Sequence, residues 1–250
     1  MNEITTKSYW ESYYSETSAN SEQIKRICRP YDLYWEAMVT ACSKTPKSII
    51  EIGAYPGRYL AYLASKYGLH PTALDYNSDK SKIKAAFRAM GIDDYEIIQE
   101  DFLTFDSDKQ YDLVVSIGFI EHFNNYNEVL DKHANLLAPG GSMVVMIPNK
   151  RFFRKYYGIL CDYSNLKAHN LKCMRLTVFE EFAKRNELEV VHLDYWGGFP
   201  YSVHQTLNFG QKIIYKGTRL FFKKLNPIIA RFPNKFLSST IIGVFHKPLK

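Results

Sequence analysis

From Ser48 to Ile147 the chain alternates short apolar runs with longer stretches of helical period: SIIEI, RYLAYLASKY, TALDY, SKIKAAFRAM, YEIIQ, YDLVVSI, YNEVLDKHANLL and SMVVMI. Neighbouring strands joined through a helix cannot form a hairpin and pair parallel instead, so this rhythm predicts an open α/β sheet wound on both faces. The turn Ala138-Pro-Gly-Gly141 is expected to end the last helix of the series, glycine being the usual C-terminal residue.

Beyond Pro148 the regularity breaks. Asn149 to Arg175 is basic and Tyr-rich, and Thr177-Val-Phe-Glu180 offers a capping box for a helix to about Arg185. Strands at 188–195 and at roughly Thr240 to His246 complete the sheet, separated by a stretch far longer than an ordinary connection. We therefore expect one structural domain: an N-terminal helical cap (1–47), an α/β core (48–148), an insert and helix (149–187), and two last strands with a basic insertion (188–250).

No run of eighteen apolar residues occurs, and the N-terminal MNEITTKSYWESYYSET is polar and of mixed charge. The expectation is a cytoplasmic chain that neither spans a membrane nor is secreted. Four cysteines form no CxxC pair and no compact cluster with the seven histidines, so buried free thiols and no metal are expected. The net charge of +6 is local: residues 195–250 carry nine Lys/Arg and no acid, while the first 194 residues sum to −3. That asymmetry points to a localised anionic partner.

Glu51-Ile-Gly53-Ala54-Tyr55-Pro-Gly57 follows the first strand and precedes a helix, the position of a cofactor crevice at the carboxyl edge of a parallel sheet. Asp75, at the end of the next strand, is placed to accept the hydroxyl protons of an adenosine ribose. Dinucleotide folds carry G-x-G-x-x-G, in which the second glycine lets backbone approach a pyrophosphate; Tyr55 stands there instead. S-adenosylmethionine has no pyrophosphate to crowd, and Glu51 can sit near its cationic methionyl end.

Later elements make the pattern specific. The Gln-Glu-Asp101-Phe102 segment, the Tyr-Asp112-Leu-Val-Val-Ser116 strand with Glu121-His122-Phe, and Leu-Ala-Pro-Gly-Gly-Ser follow in the order of the class I S-adenosylmethionine-dependent methyltransferases. Over about Ser48 to Pro148 the chain resembles their small-molecule, ubiquinone-biosynthesis-like branch. The resemblance implies a Rossmann-like sheet of about seven strands, mostly parallel with the last antiparallel. It implies that Asp101 receives the adenine amino group, that Phe102 offers its amide to the ring, and that Tyr76 lies against the adenine face. Ser116, Ile117 and Gly118 would line the methionyl end through backbone groups. Asp112, at the start of its strand, faces away from the crevice. Tyr55-Pro56 departs from the small residues usual there; Pro56 would stiffen the helix entry and Tyr55 would reach toward substrate.

Methyl transfer needs a nucleophile aligned with an activated methyl group, with a base where the acceptor is a hydroxyl. His122, after the fourth strand at the crevice rim, is the leading candidate base, its ordinary pKa suiting proton transfer near neutrality. Its alternative role is to fix the loop, with Glu121 orienting it. His169 lies in the insert that in this family commonly covers the acceptor. Arg151, Arg154, Tyr156, Tyr157 and Tyr163 there would make aromatic walls and guanidinium forks for an anionic, phosphate-, nucleotide- or glycan-linked acceptor. The N-terminal aromatics Tyr9, Trp10, Tyr13 and Tyr14 and the Arg29-Pro30-Tyr31 corner would approach the crevice, with Tyr31 contributing, or pack on the outer helices.

Over 208–224, a helical wheel groups Lys212, Lys216, Arg219 and Lys223, with Ile213, Ile214, Leu220 and Phe221 in a broad separate sector. Three uses fit: a lid packed on its own domain, an interfacial helix on anionic lipid, or a patch steering a phosphorylated acceptor. No recognised RNA module is visible, which disfavours nucleic acid. The reading is an enzyme that methylates oxygen, or less readily nitrogen, on a small anionic acceptor. An RNA methyltransferase and a non-catalytic methyltransferase-like binding module are the alternatives, and oligomeric state is open.

Overall fold

The computed structural model describes residues 4–5 and 20–249. The N-terminal aromatics from Tyr9 to Tyr14 lie outside them. Asn20 caps the first described helix, α1 (Ser21–Cys28), by accepting from the Gln23 amide at 2.8 Å. A 3-10 turn (Arg29–Tyr31) and α2 (Asp32–Ala41) lead to the sheet. The alternation then runs β1 (Ser48–Ile52), α3 (Arg58–Tyr67), β2 (His70–Leu74), α4 (Ser81–Ala89), β3 (Glu96–Ile98), β4 (Tyr111–Ile117), α5 (Tyr126–Asn135) and β5 (Leu137–Pro148). The remainder is α6 (Phe152–Cys161), α7 (Tyr163–Lys167), α8 (Leu176–Arg185), β6 (Glu189–Trp196), α9 (Phe209–Arg231) and β7 (Thr240–His246).

The seven strands are ordered β3-β2-β1-β4-β5-β7-β6. β1 to β5 pair parallel, and β7 lies antiparallel between β5 and β6. The predicted Rossmann-like architecture is therefore the observed one. Side-chain alternation along the strands divides the core in two. Ile49, Leu113, Val115, Val144 and Met146 face α1 to α4, while Ile50, Ile52, Val114, Met143 and Val145 face α5 and α8. Because the strand order turns about β1 and β4, the loops after these two strands open together at the carboxyl edge, where such sheets bind ligands.

Two local expectations need correction. α8 begins at Leu176 after Arg175, with no side-chain cap, so Thr177 lies in its first turn and the capping box does not form. α5 ends at Asn135, and Ala138–Gly141 is the irregular start of β5 rather than a helix stop. Gly141 is required there because a Cβ would stand 2.6 Å from the Asp112 carbonyl oxygen. The Tyr31 ring packs 4.4 Å from that of Trp196 and 6.3 Å from that of Tyr59. α9, capped by a box between Asn208 and Gln211, runs longer than the wheel implied. It packs inward through Tyr215, Phe222, Leu225 and Ile229, whereas Ile213, Ile214, Leu220 and Phe221 are exposed.

Asp112 is a structural anchor. One carboxylate oxygen accepts from the Lys47 and Ser48 amides and the Ser48 hydroxyl, at 2.9, 3.1 and 3.0 Å, pinning the start of β1 to β4. Burial opposes its ionisation, but these bonds outweigh it and hold its pKa below the ordinary value. Asp112→Ala is expected to lower unfolding free energy by about 2 kcal/mol near neutral pH. A depressed carboxyl pKa stabilises above the unfolded-state value and loses that effect as pH falls. Denaturant titrations of both proteins should therefore converge toward pH 3.

Candidate active site

The loop after β1 is shaped by glycine at two positions. Gly53 (φ +69°) lies under the Phe119 ring, 2.6 Å from where a Cβ would be, and Gly57 (φ +87°) lies 3.1 Å from the Ile83 Cα by the same measure. Side chains at either point would strain the backbone and push on these neighbours. The loop is then tied to β2. Gly53 and Ala54 amides donate to the Leu74 carbonyl, and Asp75 accepts from the Tyr55 and Asn77 amides at 2.9 and 2.8 Å. The Tyr55-Pro56 peptide is cis, and the Tyr55 hydroxyl donates to Asp79.

Two cavities adjoin at this loop. The first is mainly apolar and is lined by Gly53, Tyr55, Asp75, Tyr76, Asp101, Phe102, Ile117, Gly118 and Phe119. Phe102 is buried edge-on to Phe119 and His133, and Asp101 also accepts from the Leu103 amide at 2.9 Å. The second cavity is more polar than the first and includes Glu51, Ala54, Arg58, Glu121, Lys150, Arg154, Asn165, His169 and His204. Gly53, Tyr55, Ile117, Gly118 and His122 border both. Gly57 shapes the turn without lining either.

Other anticipated residues lie elsewhere. Ser116, expected to act through its backbone, turns its side chain into the sheet face that holds α5, where its hydroxyl is 3.0 Å from His133 Nε2, and its neighbours Ile117 and Gly118 border the cavities. Tyr156 and Tyr163 are exposed; Tyr156, two positions from Arg154 on α6, points about 200° away from it. Tyr157 is buried behind the cavity and donates to the Tyr201 carbonyl at 2.8 Å. Arg151 lies over the Phe152 ring and donates to the Met174 carbonyl. Tyr31 also lies outside both linings. Arg154 alone of the expected acceptor residues enters the polar cavity, and its fork is committed to Asp162 at 2.6 Å and to the Ser202 carbonyl.

A family model described as a methyltransferase domain matches residues 20–193. The chain belongs to this methyltransferase family. Over 116 residues it is 31% identical to pavine N-methyltransferase of Thalictrum flavum subsp. glaucum, a match covering 46% of this chain and 32% of that protein. Over 159 residues it is 28% identical to the mitochondrial ubiquinone biosynthesis O-methyltransferase of Dictyostelium discoideum, covering 56% and 48%. The chain thus spans between 32% and 48% of the length of these two relatives. The fold is also that of a SAM-dependent methyltransferase from Archaeoglobus fulgidus, with 17% identity, a TM-score of 0.56, and 96% and 100% of the two chains covered.

In this methyltransferase the polar cavity has an unusual charge state. Burial pushes Glu51 up to about 8, only partly offset by the Leu60 amide that donates to it at 3.0 Å. Burial likewise raises Glu121 to about 8, and its buried Oε2 has no protein partner among the described residues. Burial, then the nearby Arg154 charge, lowers Lys150 to about 7; its ammonium donates to Asn165 Oδ1 at 2.6 Å and lies 3.2 Å from His169 Nδ1. Burial opposes Asp162 ionisation, yet bonds from His204, Asn165 and Arg154 hold it well below the usual carboxylate range.

The histidines do not have the basicity expected of them. Burial lowers His122 to about 4, with its Nδ1 2.7 Å from the Ala168 carbonyl. Burial and the Lys150 charge take His169 to about 2. The fold does bring the two rings together, 4.6 Å apart. Ligating atoms of Glu121, His122 and His169 all lie within 4.8 Å of one another, a geometry that can hold a metal ion and that sequence spacing does not reveal. Lys150, Asn165, Asp162, His204 and Arg58 were all missed by reading residue types alone. Lys150 had one usable signal: it stands two residues past the carboxyl end of β5, at the crevice edge.

These shifts are directly measurable. NMR titration of the free protein is expected to show Lys150 Nζ losing its proton near pH 7, with His122 and His169 unchanged and neutral between pH 5 and 8. A histidine midpoint near 6.5 at either ring would return that residue to the role of base.

Proposed function

We propose that this protein is an S-adenosylmethionine-dependent methyltransferase of the small-molecule, ubiquinone-biosynthesis-like branch, acting in the cytoplasm on the oxygen of a small acceptor that carries an acidic group. The observation that carries this reading is the shared rim. Five residues border both a mainly apolar cavity and a more polar one, so an acceptor in the second lies against the junction of the two. Adenosylmethionine supplies a methyl group already activated by its sulfonium.

The residues present fit that cofactor. Asp75 spends one lone pair of each oxygen on a backbone amide and keeps others for ribose hydroxyls. Tyr76, Asp101 and Phe102 line the same cavity on the adenine side. Glu51 and Arg58 line the second cavity, beyond the shared rim, and the buried Arg58 Nε, without a protein partner among the described residues, suits a carboxylate. Gly53 keeps the backbone where a Cβ would intrude.

The anionic acceptor follows from charge. With Glu51 and Glu121 protonated near neutrality, the polar cavity holds Arg58 and Arg154 against Asp162, an excess of positive charge that does not depend on Lys150. Such a cavity lowers the pKa of an acceptor hydroxyl. Lys150, as a neutral amine, takes the hydroxyl proton as the oxygen lone pair attacks, because its pKa is the one matched to neutral pH.

A second reading has its own support. The unpartnered Glu121 oxygen suits an amine, and one relative is by name an N-methyltransferase. Conversion of adenosylmethionine to adenosylhomocysteine, screened over hydroxylated carboxylates, phosphates and simple amines, separates the two. Turnover of the acidic hydroxyl compounds is expected, with rate rising through pH 7 as Lys150 loses its proton. Lys150→Met should lower kcat by about 100-fold and abolish that rise. Turnover of amines alone, or none with any acceptor, contradicts the proposal.

A further inference from the structure

We infer that the outer face of α9 docks this protein on an anionic phospholipid bilayer, a property that does not rest on the methyl-transfer reading. At about 100° per residue, α9 divides into three sectors. The inward one, Tyr215, Phe222, Leu225 and Ile229, packs with Tyr157, Cys161 and Phe199. A second holds Lys212, Lys216, Arg219 and Lys223 within about 60°. The third, bordering the basic one, is apolar and faces out: Phe209 is 81% exposed, Ile213 58%, Leu220 66%, Phe221 60% and Ile228 58%. Lys224 and Arg231 project from within it on long stems that can carry their charge to a headgroup layer while the stem stays apolar.

Neither outward sector is explained by the rest of the molecule. All four flanking cations are exposed, and among the described residues none is in an ion pair. Residues 195–250 contain no acid that could serve them. A lid with a solvated outer face would carry polar residues where α9 carries phenylalanine, leucine and isoleucine. A second copy would bring like-charged rows together across a two-fold interface. Nucleic acid would neutralise the lysines and leave the apolar sector in water. An anionic bilayer satisfies both, with phosphate at the basic flank and acyl chains at the apolar one.

The docking also bears on the polar cavity. Asn226 of α9 grips the loop after β6 from both sides, its Oδ1 accepting from the Phe199 amide at 2.7 Å and its Nδ2 donating to the Phe199 carbonyl at 3.1 Å. Gln211 donates to the Leu160 carbonyl of α6 at 2.9 Å. That loop supplies His204 and that helix supplies Arg154 to the cavity. The helix resting on the bilayer thus holds two of the elements that wall that cavity.

The test is co-sedimentation of the full chain with vesicles of phosphatidylcholine alone or with about one third phosphatidylglycerol. The expected result is binding to the anionic vesicles at low salt, at least about tenfold weaker in high salt and on phosphatidylcholine alone. Leu220→Ser/Phe221→Ser and, separately, Lys216→Gln/Arg219→Gln/Lys223→Gln should each weaken binding about tenfold, with the thermal transition unchanged because these side chains are exposed. Failure of the wild-type protein to bind anionic vesicles overturns the inference, as does full binding by the serine variant. Sedimentation velocity identifies the competing occupant: a dimer that the serine variant dissociates, without vesicle binding, assigns the face to a second copy and also overturns it.

Discussion

Asp75 ties the end of β2 to the loop after β1, and the crevice depends on that tie. Its two oxygens accept the Tyr55 and Asn77 amides, while the preceding Leu74 carbonyl takes those of Gly53 and Ala54. The loop is thereby held off the sheet edge, close enough to Phe119 and Ile83 that only glycine fits at positions 53 and 57. Alternation along β1 then turns Glu51 toward the start of α3, and the break in strand order between β1 and β4 brings Ile117 and Gly118 opposite. One carboxylate thus organises the floor that both cavities share.

The polar cavity works in the opposite sense. Most of its ionisable groups are too deeply buried to keep their ordinary charge. The Arg154–Asp162 pair, by contrast, stays plainly ionic, because it is closed by Asn165 and His204 as well as by itself. Breaking such a pair would leave an unmatched buried charge, so it fixes the insert over the cavity more than it stabilises the chain. Lys150, sharing Asn165 with that pair, is left with a proton it can lose near neutrality.

The β-α alternation made the sheet legible because periodicity reports directly on which face is buried. The loop was legible because glycine and a strand-end acid are demanded by geometry at fixed spacings. The acceptor site was not, for two physical reasons. Side-chain phase within α6 decides that Arg154 turns inward while Tyr156 turns out, and the basic, aromatic composition of the insert says nothing about phase. Strand parity likewise turns the Ser116 hydroxyl to His133, which leaves only its backbone for the crevice edge. Titration was misjudged more deeply: a histidine named from sequence carries its solution pKa with it, whereas burial takes His122 down to about 4. His169 was found by residue type, but its neighbour Lys150 comes from another element and is joined to it only by the fold.

Whether this crevice takes a sulfonium nucleoside and refuses a pyrophosphate is the claim on which the rest stands. Calorimetric titration of the wild-type protein with S-adenosylmethionine and, in parallel, with NAD tests it most directly. Single-site binding of adenosylmethionine in the micromolar range, with no heat from NAD, is the predicted result. Binding of NAD, or absence of binding by adenosylmethionine, would contradict the account.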